Sequence, residues 1–518
     1  MTKSTRREFL RTSAAALAVS MTPPVIGRAF AAEGGRDLPV PSLVEVGDGE
    51  RFSLRARTGR SSFLSGRETP TVGFESDYLG PVLRLRRGTS VRPEVTNDID
   101  EPITAHWHGL HVEGRYDGGP QTAFSPGETW RPILDVDQPG ATLWYHSHIH
   151  GRTGPHVYFG LAGMLQIIDP EAETRLPSTH GVDDLPLIVQ DRLFAKDGSL
   201  LYAPRGPSLM HGYRGDQILV NGAIRPRASV PAGLVRLRIL NASNARTYRF
   251  AFEDGRRFYR IASDAGFLPI PMTMSEVELA PAERAEIVVD FADGAATRLV
   301  SGRGRRSRDR MMGGMMGMRL PEPDAIDREG RFEIMRFEVD GRPPSAVTKL
   351  PERIQGAPSL AGPTGDETRR TFTLDMHAGG MGMRGMRREG RMGMSDRRGG
   401  RDMWMGGGMG MMGINGRSMD PDRIDLRARL GEPEIWRVVT DWMAHPFHLH
   451  GASFRVLSHN GNPVSPEASG AKDVVHVNGE AEILVTFNRK ADEATPYMFH
   501  CHILEHEDAG MMGQFTVS

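Results

Sequence analysis

The 518-residue chain is short of cysteine, of aromatic side chains and of long apolar runs. Its single cysteine rules out an internal disulfide, and with it the stapled scaffold on which many small exported domains depend. No stretch approaches the roughly 18 uninterrupted apolar residues of a membrane span, and apolar residues make up only 39% of the chain. An excess of either charge is also missing. With 64 Lys+Arg against 65 Asp+Glu there is no basic stripe to follow a phosphate backbone, which argues against nucleic acid as a partner. What remains is enough chain for about three soluble domains of ordinary size.

The first 31 residues read as a leader. Arg6 and Arg7 stand side by side in TRREFLR, a mild apolar stretch follows, and Ala29-Phe30-Ala31 offers a small-residue cleavage site. This resembles a twin-arginine signal peptide, which implies export of the folded chain by the Tat machinery to the periplasm, with no stable membrane insertion. Without the leader the chain is mildly acidic.

Beyond it, short runs such as LVRLRILNAS (234–243), AEIVVDF (285–291) and EIWRVVTD (434–441) alternate with period two between Gly, Pro, Asn and Asp turns. That pattern predicts antiparallel strands packed as sandwiches, an all-β protein. Three blocks are expected, at 38–170, 171–345 and 366–518, with a Pro- and Gly-containing linker at 346–365. A Gly- and Met-rich insertion at 376–419 holds 12 of the 28 methionines and almost no strand formers, so a surface role fits it better than a core. A second methionine group lies at 311–318.

Histidine placement narrows the chemistry. Seven of 18 fall between His106 and His156 and eight between His445 and His506. Within these clusters stand HWHG (His106, His108), HSH (His146, His148), HPFHLH (His445, His448, His450) and HCHILEHEDAGM (His500, Cys501, His502, His506, Met511). On a strand, residues two apart share a face, so each motif can aim two imidazoles to one side. Eight imidazoles suit borderline transition metals, among which copper binds such ligands most tightly. A closed structural zinc site would need only four ligands. Cys501, between His500 and His502, faces the other way. With His445, His506 and a weak axial Met511 its thiolate can form a blue-copper electron-transfer centre, one peptide unit from two ligands of the other cluster.

The four motifs together resemble those of the multicopper oxidases, over nearly the whole chain beyond the leader, and most closely the periplasmic cuprous oxidases of copper homeostasis. The resemblance implies three cupredoxin-like Greek-key β-sandwich domains and four copper ions. By motif, type 1 copper would take His445, Cys501, His506 and Met511, and type 2 copper His106 and His448. The type 3 pair would take His108, His146 and His502 on one ion, with His148, His450 and His500 on the other. It further implies acidic residues that supply protons, for which Asp117 in EGRYDGG is the first candidate and Glu505, beside Glu507, the second.

Asp441 and Met443, just before His445, match residues with which cuprous oxidases hold substrate Cu(I), and Met376 resembles a third such ligand. The family's aspartate a few residues after that methionine is missing, since Met381 and Gly382 fill the stretch; Asp375 could substitute. Soft thioethers suit Cu(I), and the insertion resembles a lid that excludes bulky phenols. The expected reaction is O2 reduction to water with Cu(I) as donor, by a monomer. The alternatives are a laccase-like oxidase of phenols or other small organic reductants, and a non-enzymatic copper store or cell-division scaffold.

Overall fold

The computed structural model describes residues 35–302, 331–343, 345–376, 412–440 and 442–518. The leader, the methionines of 311–318, nearly all of the Met-rich insertion and Asp441 lie outside the described residues. Six sheets pair into three sandwiches. In the first, Leu43–Glu45, Val82–Arg86, Ala162–Ile168 and Ala141–His146 form one sheet, and Arg51–Ser61 and Thr89–Asp98 centre the other. Strand Arg51–Ser61 opens with strict alternation: Phe52, Leu54 and Ala56 point inward while Arg51, Ser53 and Arg55 are exposed. The inward residues join Leu83, Val91, Val95 and Leu165 in one core, as the period-two reading requires.

The middle sandwich departs from that rule. Every residue of Leu234–Asn241 is buried, including Arg236 and Arg238. Val235, Leu237 and Ile239 fill the sandwich's own core, and the opposite face lies against the first sandwich. There Arg236 pairs with Glu286 and Glu173, and Arg238 with Asp184, Glu286 and the Thr142 hydroxyl. Alternation predicts a solvent face for these arginines. They are buried because each positive charge meets carboxylates, the condition under which an interior charge is tolerated.

Two connecting segments pack on the middle sandwich. Residues 36–39 do not join the first sandwich: Asp37 bridges Arg227, Leu38 N donates to Arg227 O at 2.7 Å, and Leu38 packs in the middle core. In the linker, Ile354 is buried beside Phe267 and Leu176. The third sandwich closes over Trp436, Phe447, Phe499 and Phe515. It meets the first where Gly114 N donates to Lys490 O at 2.9 Å and the Tyr497 hydroxyl donates to Val112 O. Among the described residues no helix is long and apolar enough to cross a membrane.

Candidate metal centres

Strands His445–Leu449 and Tyr497–Cys501 of the third sandwich pair antiparallel, with Phe447 opposite Cys501 and His448 opposite His500. Strand alternation then sorts the ligands. Phe447 and Cys501 turn into the third sandwich's core, while His448 turns out against His106 and His108 of the first sandwich. From the first side, His106 and His146 exchange both backbone hydrogen bonds, at 2.8 and 3.1 Å. The rings interleave: His106 stacks on His450 at 3.9 Å between centroids, and His108 on His448 at 3.7 Å.

Only part of this follows from a strand pattern. His146, His448 and His500 lie on strands, whereas His148, His450 and His502 fall just past the strand ends and His106 and His108 sit in a bridge and turn. The ladders stop where the two sandwiches meet, so the next residue can bend its ring into the shared space.

The hydrogen bonds fix which nitrogen of each ring is free. Nδ1–H of His106 donates to Asp117 O at 2.8 Å, that of His146 to Ser147 O at 2.9 Å, and that of His448 to Asp473 O at 2.8 Å. Their Nε2 atoms are buried without a partner. His450 donates from Nδ1 to Asp117 Oδ2 at 2.7 Å, and His500 from Nδ1 to Cys501 O at 3.1 Å. His500 Nε2 then lies 3.1 Å from His148 Nε2 and 3.2 Å from His450 Nε2. With the protons outward, lone pairs face one another across that gap, an arrangement a cation stabilises. His108 is reversed. Its Nε2 meets Asp473 Oδ1 at 3.2 Å and its Nδ1 is the orphaned atom. Among the described residues neither nitrogen of His502 has a hydrogen-bond partner. Burial holds His146, His448 and His450 well below their usual range, and His148 and His502 to about 3, so these five rings are neutral at neutral pH, the form in which imidazole binds a metal.

The second centre lies on the other face of the same strand. His445 Nδ1 is 3.3 Å and His506 Nδ1 3.6 Å from Cys501 Sγ, and the two nitrogens are 3.2 Å apart. His506 Nε2 donates to Met210 O at 3.1 Å, leaving the Nδ1 lone pair turned inward. Met511 is fully buried and packs in the core that holds Cys501. Burial pushes the Cys501 thiol well above its ordinary range, and a bound metal ion is what deprotonates such a thiol. Two converging imidazoles, one thiol and one thioether suit copper.

The acidic residues separate. Asp117 ends a single helical turn at Gly114–Asp117, and its backbone oxygen and carboxylate hold one histidine from each side, His106 and His450. Gly118 follows with φ +81°; a Cβ there would lie 2.0 Å from Ala105 O, so only glycine lets the chain fold back this closely. Glu505, expected to be the second proton donor, points away from the histidines. It accepts from Tyr202, Asn244 and Tyr213 N, each at 2.9 Å, and burial raises its carboxyl to about 7. Of the neighbouring glutamates, the one that meets the histidines is Glu507, 3.4 Å from His148 Nδ1 and 3.2 Å from His500 Nδ1. These two glutamates are two residues apart on a single-turn helix, Leu504–Asp508, which turns them to different sides.

Met376 and Met443 are buried in the third core with Cys501 and Met511. Asp375 is engaged elsewhere, accepting from Gly416 N at 2.5 Å. Nothing in AKDVVHV marks Asp473, and Met210 contributes only a backbone oxygen, so neither carries a signal in the sequence.

Fold and site together define a β-sandwich protein with a buried cluster of one cysteine and two histidines beside an interdomain histidine chamber. Comparison with known proteins agrees. The multicopper oxidase family matches at residues 55–172 and 386–518. The cell division protein FtsP of Dickeya dadantii is 36% identical and aligns with 99% of this chain and 98% of its own length. The solved structure of the laccase-like multicopper oxidase CueO from Ochrobactrum sp., described as active on lignin model compounds, is 38% identical, with a TM-score of 0.79 over 93% of this chain and 100% of that one. A multicopper oxidase of Campylobacter jejuni, described as a metallo-oxidase, is 25% identical with a TM-score of 0.76, over 96% of this chain and 98% of that one. The chain belongs to the multicopper oxidase family, a membership that implies copper binding.

Proposed function

We propose that the protein is an exported periplasmic oxidase that takes single electrons at the Cys501 centre and reduces O2 to water in the histidine chamber, with four copper ions and with Cu(I) as its donor. One observation carries the oxidase reading: the buried thiol of one centre is covalently flanked by His500 and His502 of the other. Copper in these positions supplies one-electron transfer at the thiolate and multi-electron O2 chemistry at the imidazoles. The chain's own contribution is position and protons. His106 and His448 would hold the type 2 ion, with the remaining six imidazoles shared by the type 3 pair. Asp117 keeps two rings in register across the domain boundary. Glu505, near neutrality, can hold a proton in reserve, and Glu507, which its contacts with His148 and His500 keep ionised, can accept a proton and pass it inward.

Cu(I) is favoured as the donor by Met376 and Met443, soft side chains buried in the core that holds Cys501 and Met511. The Campylobacter relative's description as a metallo-oxidase agrees with this choice. The Ochrobactrum relative favours organic donors, and the name of the FtsP relatives favours a role in cell division. The deciding experiment is steady-state O2 consumption by the copper-loaded protein, with Cu(I) and a phenol compared side by side. Faster consumption with Cu(I) is expected. A faster phenol rate overturns the donor, and no consumption with either overturns the oxidase.

A further inference from the structure

The middle sandwich contributes no imidazole to the chamber, yet one of its side chains lies a single residue away from two that do. Arg284 begins strand Arg284–Asp290 and is fully buried. All five of its side-chain N–H groups are used. Nε donates to Thr142 O of the first sandwich at 3.0 Å. Nη1 donates to Ala282 O at 3.1 Å and Asp473 Oδ1 at 2.6 Å, and Nη2 to Asp264 O at 2.7 Å and Asp473 Oδ2 at 2.6 Å. A guanidinium met on every donor and paired through both prongs to one carboxylate has a single orientation, and so does that carboxylate.

Asp473 belongs to the third sandwich and passes this orientation on. Its Oδ1 accepts from His108 Nε2 at 3.2 Å, and its backbone oxygen from His448 Nδ1 at 2.8 Å. One buried ion pair thus joins all three sandwiches and fixes two stacked rings, one from each wall of the chamber. It also explains why His108 offers Nδ1 when its neighbours offer Nε2, because the carboxylate holds the ring proton on Nε2. Gly109 gives an independent sign. With φ +88°, a Cβ there would lie 2.5 Å from Asp473 Oδ2 and 3.0 Å from Arg284 Nη2, so the glycine that closes HWHG leaves open the space this pair occupies.

We propose that Arg284 is a positioning residue for the histidine chamber: acting through Asp473, it selects the coordinating nitrogen of His108 and the ring orientation of His448. The middle sandwich is then a required wall of the chamber. The inference rests on the copper reading given above. The thiolate centre touches neither residue, so it serves as an internal control.

The test uses the full chain and the variants Arg284→Lys and Asp473→Asn, loaded with copper. It reads copper per chain, the blue absorption of the thiolate centre and the type 2 copper signal in electron paramagnetic resonance. Arg284→Lys keeps the charge but not the fork, and Asp473→Asn keeps the shape but not the charge. Both are expected to retain the blue absorption while the type 2 signal shifts or disappears and copper affinity in the chamber falls about 10- to 100-fold, with Arg284→Lys the milder. Variants matching the wild type in both signals overturn this inference alone. So does loss of both signals in step with loss of folded protein in both variants. A wild type without any type 2 signal overturns the copper reading, and this inference with it.

Discussion

All four side chains proposed for the thiolate centre, His445, Cys501, His506 and Met511, come from the third sandwich, whereas the histidine chamber draws four imidazoles from the first sandwich and four from the third. The first centre is a property of one core. Its cysteine and methionine pack with Phe447 and Phe499, and its geometry needs only that sandwich and the Met210 carbonyl laid over it. The second is a property of docking. Its rings interleave across a boundary held by Asp117, Asp473 and Arg284, none of which touches the thiolate centre. A change at the boundary should therefore separate the two centres, while a change at Cys501 should disconnect them.

Cys501→Ser breaks the comparison most completely. The blue absorption should vanish and turnover should fall below detection, because the variant loses the thiolate sulfur that would link the metal to the backbone joining His500 and His502. The chamber should still take up copper, read as a retained type 2 signal. Detectable turnover in a copper-loaded variant would sink the electron path.

Glu507→Gln is next. Removing the carboxyl that meets His148 and His500 should slow O2 reduction by roughly 100-fold or more with the blue absorption intact. Glu505→Gln, on the far side of the same helical turn, should cost far less. If Glu505→Gln proves the more damaging in steady-state O2 consumption, the proton route runs past Tyr202 and Asn244 instead. Asp117→Asn should act through geometry, lowering chamber copper affinity by about 10- to 100-fold and again sparing the blue absorption. Equal loss at both centres would mean that Asp117 supports the fold as a whole.

The contrast also separates what sequence can show from what it cannot. Candidate ligands repeat at short spacings, and His500-Cys501-His502 carries its own two-sidedness in the period of a strand, so the side chains that the fold gathers into the two clusters are legible from motifs. The residues that dock the walls are single and scattered. Asp473 and Arg284 are 189 positions apart and carry no local pattern. Glu505 and Glu507 cannot be told apart by spacing, because a single helical turn decides which one faces the histidines. Arg236 and Arg238 likewise read as solvent-facing until the first sandwich covers them.

The smallest expected effect lies on the first sandwich's wall. Glu101 accepts from Arg152 Nε at 2.9 Å and lies 3.3 Å from His156 Nε2, while His156 Nδ1 lies 2.8 Å from the hydroxyl of Ser147, the residue between His146 and His148. Its hydrogen bond with His156, against some burial and helped by Arg152, lowers the carboxyl from 4.5 to about 2. Because the folded state holds this proton less tightly than the unfolded one, the contribution is fully present above the ordinary carboxylate range and fades as pH falls from 4.5 towards 2. Glu101 is partly exposed, so Glu101→Gln should cost no more than about 1 kcal/mol at neutral pH. That gap should close on acidification when denaturant unfolding of the metal-free chain is followed across pH. A pH-independent offset would mean that the glutamine alters packing, and that the first wall owes nothing to this charge. A gap that closes while the blue absorption of the copper-loaded variant matches the wild type would mean that this acid-sensitive support leaves the thiolate centre untouched.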